Sequence, residues 1–416
     1  MPKCGCCGKS FNSDSSLVKH LIDSHDWDEL SRIDRKRIET QHPAAAPDST
    51  RNAQLPAPVQ SIPVIGGLSR RQLLGLTAGV AVAGGVGVTR TDFFGAEEVS
   101  TESLMGQWEI GPSVPYLAEY PAVATYNDSL YIFGGADDDR NPADAAYRYD
   151  PEADSWAELA PMPVEGRRTS ASVVDDRIYV IDGSTEVSLF GDGTVRIYDP
   201  ETDSWSLGTN RPVTSRNPGQ ATDGEQIYLF GGNFGGENTD FAHVYDPESD
   251  SWEERTPMPF ANRQMSCHYI PSQERIYLFG GESPGDPPER DDVITYDPET
   301  DSYDDSPTNM PEPSQTNPST VHEGKVLFPG GEEPGGTTGM TTFRIYDPEI
   351  DAWDTLPDLL EMVESTGAGV VGDRLVVPGG RTYFEPDADL DEEPHTHRYD
   401  DYPVFFDRTQ VYRFET

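Results

Sequence analysis

From residue 104 onward, short apolar runs alternate with polar stretches rich in glycine and proline, at a regular interval. The clearest run is apolar and ends in a glycine pair. It occurs six times, at 131–135, 179–183, 228–232, 277–281, 327–331 and 376–380, with Asp182 standing where the first glycine of the second copy is expected. The second glycines lie 48, 49, 49, 50 and 49 residues apart. Each run is short and rich in β-branched and aromatic residues, which predicts a strand buried on both faces. The glycine pair at its end allows another backbone to come close.

A second signal follows each run at a fixed offset. Tyr149, Tyr198, Tyr245, Tyr296 and Tyr346 each begin a Tyr-Asp-Pro triplet. Further on comes an indole or its substitute, at Trp156, Trp205, Trp252, Tyr303 and Trp353. Counting Trp108, five of the six tryptophans occupy this one repeat position, so the repeat governs where large aromatics go. A period near 49 residues, with four short strands to a unit, marks a propeller-like array. In the second unit the strands fall at roughly 170–174, 177–181, 194–198 and 204–207.

This glycine-pair, tyrosine and tryptophan grammar resembles the kelch repeat. The resemblance covers residues 104–416, about three quarters of the chain, and implies an all-β, six-bladed β-propeller. It implies that the tyrosine and tryptophan pack between neighbouring blades. The last repeat ends at 410–414 without a tryptophan strand, and the strand around Trp108 has no glycine-pair run before it. Joining the two completes a sixth blade and leaves no sheet edge open.

Net charge is −44 and unevenly spread. Residues 1–90 hold 11 Lys/Arg against 8 Asp/Glu, and residues 91–416 hold 19 against 66, with Lys325 the one lysine of the latter part. Such a surface repels itself at low ionic strength and is relieved by screening. Its composition resembles that of proteins from halophilic archaea. The same field speaks against nucleic acid as a partner of this domain. Cys267 stands alone after residue 90, which excludes a disulfide within the repeat domain.

The chain opens with Cys4-x2-Cys7-x12-His20-x4-His25. Two thiolates and two imidazoles at this spacing suit one tetrahedral Zn²⁺. With Phe11 and Leu17 at the apolar positions, residues 1–28 resemble a Cys2His2 ββα zinc finger, whose folding and zinc binding are one event. Cys6 is a spare thiol. The family pattern assigns base reading to Ser13, Ser16 and Lys19. One finger spans about 3 bp, and Asp23, Asp26, Asp28 and Glu29 follow closely. A structural or protein-contact finger is therefore favoured over a DNA reader.

Residues 29–68 read as a basic helix bearing Arg32, Arg35, Lys36 and Arg37, then a linker rich in Pro, Ala, Gln and Ser. Residues 69–90 carry Ser69-Arg70-Arg71-Gln72-Leu73-Leu74 before a mild apolar stretch at 73–88, and resemble a twin-arginine export signal. Two outcomes stay open: cleavage near Ala81-Val82-Ala83, or retention as a membrane anchor with the finger inside and the propeller outside. Residues 91–103 form a short linker.

Candidate chemistry in the repeat domain centres on positions about fifteen before each glycine pair. Reading along the blades these are Glu119, Arg167, Arg216, Arg263 (after a two-residue insertion), Ser314 and Glu364. The kelch resemblance places them around one mouth of the central channel. Three arginines there predict a patch for an acidic sugar or an acidic peptide, because the guanidinium fork matches a carboxylate. An alternative role for them is to bridge blades.

Enzyme readings are thinner. Galactose oxidase and the six-bladed kelch mutarotases of sialic acids resemble this domain in their repeats. Of a copper site only the cluster Cys267-His268-Tyr269 is visible, and no Ser-His-Asp order, phosphate loop or zinc-protease motif occurs. Glu385, Asp387, Asp389, Asp391, His395 and His397 read as a solvated acidic loop, with Ca²⁺ or a transition metal as the sharper alternative. The leading expectation is a non-catalytic binding or scaffold protein, exported from the cell.

Overall fold

The computed structural model describes residues 101–414, except 117, 137–140, 186–187, 189–190, 286–287, 335–338, 383–395 and 399–403, together with Lys9, Lys19, His20, Ile22 and Ser24. The chain divides into two compact units, Met1–Ala96 and Glu97–Thr416. Of the first unit, Lys19, His20, Ile22 and Ser24 are helical. Cys4, Cys7, His25, the linker and the twin-arginine segment lie outside the described residues. Among the described residues no helix is long and apolar enough to cross a membrane.

The second unit is a six-bladed β-propeller. Four blades follow one plan, in which four antiparallel strands are hydrogen-bonded in chain order. In blade two these are Ser170–Val174, Arg177–Ile181, Val195–Asp199 and Ser204–Leu207. The expectation was one residue early for the third strand only. Blade three keeps the plan and adds a two-stranded hairpin, Asn233–Phe234 with Glu237–Asn238.

The glycine-pair run forms the second strand of each blade, and its burial explains its composition. In blade two Ile178, Val180 and Ile181 are fully buried and only Arg177 is exposed. Both faces meet neighbouring blades, so alternation gives way to a continuous apolar run. The glycines after it are needed for close approach. A Cβ on Gly231 (φ 59°) would lie 2.1 Å from the Asn262 carbonyl oxygen of the next blade, the atom that accepts the Gly232 N–H at 2.9 Å.

Asp182 breaks this rule and replaces the lost backbone contact with a side-chain network. It sits at φ 61°, fully buried, and its carboxylate accepts from the Ser215 N–H of blade three, from the Arg211 guanidinium at 2.9 Å and from the Gly193 N–H. Arg211 in turn donates to Ser215 Oγ at 2.7 Å and meets His243 Nδ1 at 3.2 Å. Burial raises the Asp182 pKa and lowers those of Arg211 and His243.

The recurring aromatics of the repeat join the blades. Tyr198, Phe133 and Trp205 pack together across blades one and two, with Phe133 and Trp205 edge to face at 5.2 Å. The indole N–H of Trp205 donates to the Ala160 carbonyl of the preceding blade at 2.8 Å. Blade six closes the ring as expected. Its outer strand Gly106–Ile110 pairs with Val404–Phe414, setting Trp108 opposite Tyr412, and Arg374–Thr382 and Gly369–Val371 complete the sheet.

Candidate functional site

Each innermost strand is entered through one bridge residue at the channel mouth, which pairs with a residue just past the glycine pair. The bridges are Glu119 with Ala136, Arg167 with Ser184, Arg216 with Asn233, Arg263 with Glu282, Gln315 with Glu332 and Glu364 with Arg381. Five of these first partners are the residues expected from sequence. In blade five the expectation of Ser314 is corrected to Gln315. Blade five has no insertion, so the spacing to Gly330 is that of its neighbours. Ser314 is instead fully buried, and its hydroxyl donates to Asn317 Oδ1 and to the Glu332 carbonyl. Arg263 keeps its place because the extra residues of blade four are absorbed in the 271–274 turn at the far end of the strand.

The residue after each bridge turns the chain into the channel with a left-handed backbone. Tyr120, Arg168, Asn217, Gln264, Thr316 and Ser365 have φ between 50° and 64°. None is glycine, so each carries a cost of about 1–2 kcal/mol. Hydrogen bonds from blade to blade hold them. Arg168 N–H donates to Tyr120 O at 3.0 Å, Gln264 to Asn217 at 3.0 Å, Thr316 to Gln264 at 3.2 Å, Ser365 to Thr316 at 3.4 Å and Tyr120 to Ser365 at 2.7 Å. The result is a backbone collar around the channel. Its residue types carry no common signal, which is why the sequence reading missed it. A cavity of about 500 Å³, counting the part open to solvent, lies against this collar.

Charges at the mouth pair within and across blades. On blades six, one and two, Arg381 bonds Glu119 at 2.9 Å and lies 3.2 Å from Glu364, while Arg167 bonds the other Glu119 oxygen at 2.6 Å. The Tyr120 ring lies beneath the guanidinium carbons of Arg168 (4.6 Å), Arg381 (5.1 Å) and Arg167 (5.8 Å). Its hydroxyl accepts from Arg381 at 3.0 Å. On blade four, Arg263 bonds both oxygens of Glu282 at 2.8 and 2.7 Å. The blade-bridging role weighed for the arginines is visible in Arg167.

Arg216 stands near three other arginines. Burial lowers its pKa first, and the nearby Arg168, Arg263 and Arg167 lower it further. On blades five and six stands the opposite arrangement. Glu332 and Glu364 are buried next to each other, and the Thr316 hydroxyl lies 3.2 Å from an oxygen of each. Burial and the Glu364 charge push the Glu332 carboxyl up to about 8, and burial raises Glu364 as well. Two carboxyls in contact share a proton, because like charges this close cannot both ionise in a low dielectric.

Other expected candidates are placed elsewhere. Cys267 is buried in the core between blades three and four, its thiol pKa raised by burial. His268 bonds Ser319 Oγ at 2.8 Å, and burial pulls its pKa down to about 4. The two therefore serve packing and a blade contact. Among the described residues no group of three His, Cys, Asp or Glu side chains is disposed to hold a metal ion. Residues 385–395 of the acidic loop lie outside the described residues, as do the side chains at 396–398, whose backbone forms a short strand.

Comparison with known proteins agrees with this architecture. Residues 102–268 match the model of the KLHDC2/KLHL20/DRC7 Kelch-repeats domain. A 94-residue stretch is 32% identical to Kelch-like protein 40 of Mus musculus, covering 23% of this chain and 15% of that protein. An 83-residue stretch is 34% identical to Kelch-like protein 21 of Homo sapiens, covering 18% and 13%. The chain thus spans less than a sixth of the length of the curated relatives it matches. Among solved structures, that of YjhT superimposes with a TM-score of 0.55 at 17% identity, over 65% of this chain and 93% of that one, which is a likeness of fold. The repeats within residues 102–268 match kelch repeats, and the chain builds a six-bladed β-propeller.

Proposed function

We propose that the propeller is a binding module that takes an acidic ligand, a protein segment or an acidic carbohydrate, at the arginine side of its mouth. The observation that carries this reading is the crowding of Arg216 by Arg167, Arg168 and Arg263. With Arg167 held by Glu119 and Arg263 by Glu282, an acidic ligand would add its carboxylate to guanidinium groups already brought together. The kelch repeats shared with Kelch-like proteins 40 and 21 support a protein as the ligand. Titrating the purified chain with an acidic peptide and with N-acetylneuraminic acid tests the reading. Binding should weaken at least about tenfold in Arg216→Ala, since charge-assisted bonds to carboxylate are the stronger class. Equal binding by the variant would remove the mouth from consideration.

A second reading is an enzyme acting on acidic sugars, and the proton shared by Glu332 and Glu364 favours it. A carboxyl that keeps its proton near neutral pH can serve as a general acid or base. Accelerated interconversion of sugar anomers by the purified chain, abolished in both Arg216→Ala and Glu332→Gln, would replace the binding-only reading.

For the N-terminal unit, we propose that Cys4, Cys7, His20 and His25 hold Zn²⁺ as a structural or protein-contact finger. Residues 69–90 then direct export or anchor the chain through 73–88, leaving the propeller outside the cell. Loss of zinc on chelation with an intact propeller is expected, and zinc-free purified chain would refute the finger. A nucleic-acid regulator reading requires sequence-selective binding by residues 1–41, and its absence at low salt removes it. Export should fail when Arg70 and Arg71 are both changed to lysine, because the pathway reads the pair and not the charge alone.

A further inference from the structure

The face opposite the mouth, where the first-to-second and third-to-fourth strand turns lie, holds a second cavity between blades one and two. It encloses about 1010 Å³, counting the part open to solvent, and its walls include Tyr126, Arg148, Asp175, Asp176, Asp199 and Glu201. Two departures from the repeat converge on it. The residue before each Tyr-Asp-Pro tyrosine, or before Tyr412 in blade six, is Ile197, Val244, Thr295, Ile345 or Val411, and Ile197, Val244 and Ile345 pack into clusters shared with the next blade. In blade one it is Arg148. The residue that opens the glycine-pair strand is basic in four blades. Arg177, Arg275 and Lys325 each pair with the aspartate of their own Tyr-Asp-Pro, at 2.7, 3.0 and 3.3 Å. In blade one this position is Ser129, a short side chain that also lines the cavity.

Blade one has therefore lost the surface cation and gained one in the interblade wall. Arg148 Nε is buried without a hydrogen-bond partner, and the guanidinium makes no hydrogen bond, ion pair or ring contact among the described residues. The carboxylate closest in chain, Asp150, accepts the N–H groups of Glu152 and Ala153 on one oxygen, and it feels the Arg148 charge without a direct bond to it. Arg148 is half-buried, so its guanidinium faces the cavity with room for an acceptor, where the sister blades place an apolar valine or isoleucine. Around the rim the sign is reversed. Arg177 neutralises Asp199, leaving Asp175, Asp176 and Glu201, with Asp176 also accepting from the Tyr126 hydroxyl at 3.1 Å.

We infer that this cavity is a binding site for an α-amino acid in its zwitterionic form, the carboxylate seated on Arg148 and the ammonium among the rim carboxylates. An anion alone would have to pass three carboxylates, and a cation alone would meet Arg148. A ligand carrying both charges a few ångströms apart answers both. The site lies at the far end of the strands from the mouth arginines and is independent of the function proposed there.

The test uses the full chain and glycine as the probe, with acetate and methylammonium as half-probes and glucose as a neutral one, read by isothermal titration calorimetry. Glycine should bind at least about tenfold more tightly than either half-probe. Arg148→Val, which installs the residue blade three holds at Val244, should fold normally and weaken glycine binding at least about tenfold, leaving the acidic-peptide titration at the mouth unchanged. The paired change Asp175→Asn and Asp176→Asn, on an exposed turn, should weaken glycine binding and strengthen acetate binding. Absence of glycine binding, equal binding of acetate, or tighter binding of glucose would each overturn the assignment.

Discussion

Asp250 and Thr209 sit on neighbouring blades and are joined twice. The Thr209 N–H donates to Asp250 Oδ1 at 2.6 Å, and its hydroxyl to Oδ2 at 3.0 Å. The same Oδ1 accepts from the Tyr245 hydroxyl of its own blade at 2.6 Å, and the Thr209 carbonyl accepts from Trp252 at 2.7 Å. Thr256 with Asp301 and Thr308 with Asp351 repeat the arrangement. The aspartates sit at φ near 50°, where an aspartate is tolerated better than most residues. Changing Asp301 to alanine should cost about 1–3 kcal/mol, as it orphans a backbone N–H and two hydroxyls, and Thr256→Ala should cost about 0.5–1. Urea denaturation of both variants checks the order. A neutral Asp301→Ala would mean that the aromatic contacts alone hold the seam.

The Asp182–Arg211 pair predicts a sharper contrast. Arg211→Met should destabilise the propeller by about 3–5 kcal/mol, because a buried carboxylate loses its charge partner. Adding Asp182→Gly restores the residue type of the other blades and should recover most of that loss. Double-mutant denaturation measures the recovery, and simple additivity of the two losses would contradict the network.

The Glu332–Glu364 pair sets a pH dependence whose sign is fixed by the direction of the shift. Folding raises the Glu332 pKa from its ordinary 4.5 to about 8. The folded state then binds a proton that the unfolded state releases, so this contribution is full below about 4.5, falls as pH rises and is gone above about 8. Glu332→Gln should remove up to about 1.4 kcal/mol per pH unit of slope across that window. Thermal melting from pH 5 to 9 reads it, and an unchanged slope would refute the shared proton.

Ring closure is tested by comparing two tryptophans. Trp108 donates to the Pro357 carbonyl at 2.8 Å as Trp205 does to Ala160, and packs on Phe343 and Tyr412. Trp108→Ala and Trp205→Ala should each cost about 3 kcal/mol. A neutral Trp108→Ala beside a severe Trp205→Ala would mean that the N-terminal strand contributes little to the ring.

Much of the fold was legible because the repeat writes the same physics six times. The run around Tyr228 is apolar throughout because both its faces meet blades, and Trp108 without a preceding glycine-pair strand announced the shared blade. The mouth was half legible. Arg167, Arg216 and Arg263 stood out as arginines on an acidic chain, whereas Glu332 and Arg381 did not. Those two lie past the glycine pair, and their pairing with the first bridge residue is a matter of register across a strand turn. Arg148 was passed over because in a single strand it reads as an ordinary outward arginine. Only its counterparts Ile197, Val244 and Ile345 reveal that the position packs toward a neighbour.

The collar formed by Tyr120, Arg168, Asn217, Gln264, Thr316 and Ser365 has a consequence for the electric field in the pore. Its five N–H···O bonds run in one sense around the ring, with no such bond between Asn217 and Arg168. Vectors laid head to tail around most of a ring largely cancel, unlike the aligned peptide dipoles of a helix. The hydrogen bonds of the collar therefore add little polarity to the pore. The sign of ion the opening prefers then rests mainly on side chains, so exchanging Arg216 for an acidic residue should shift that preference toward cations without a change in the main chain.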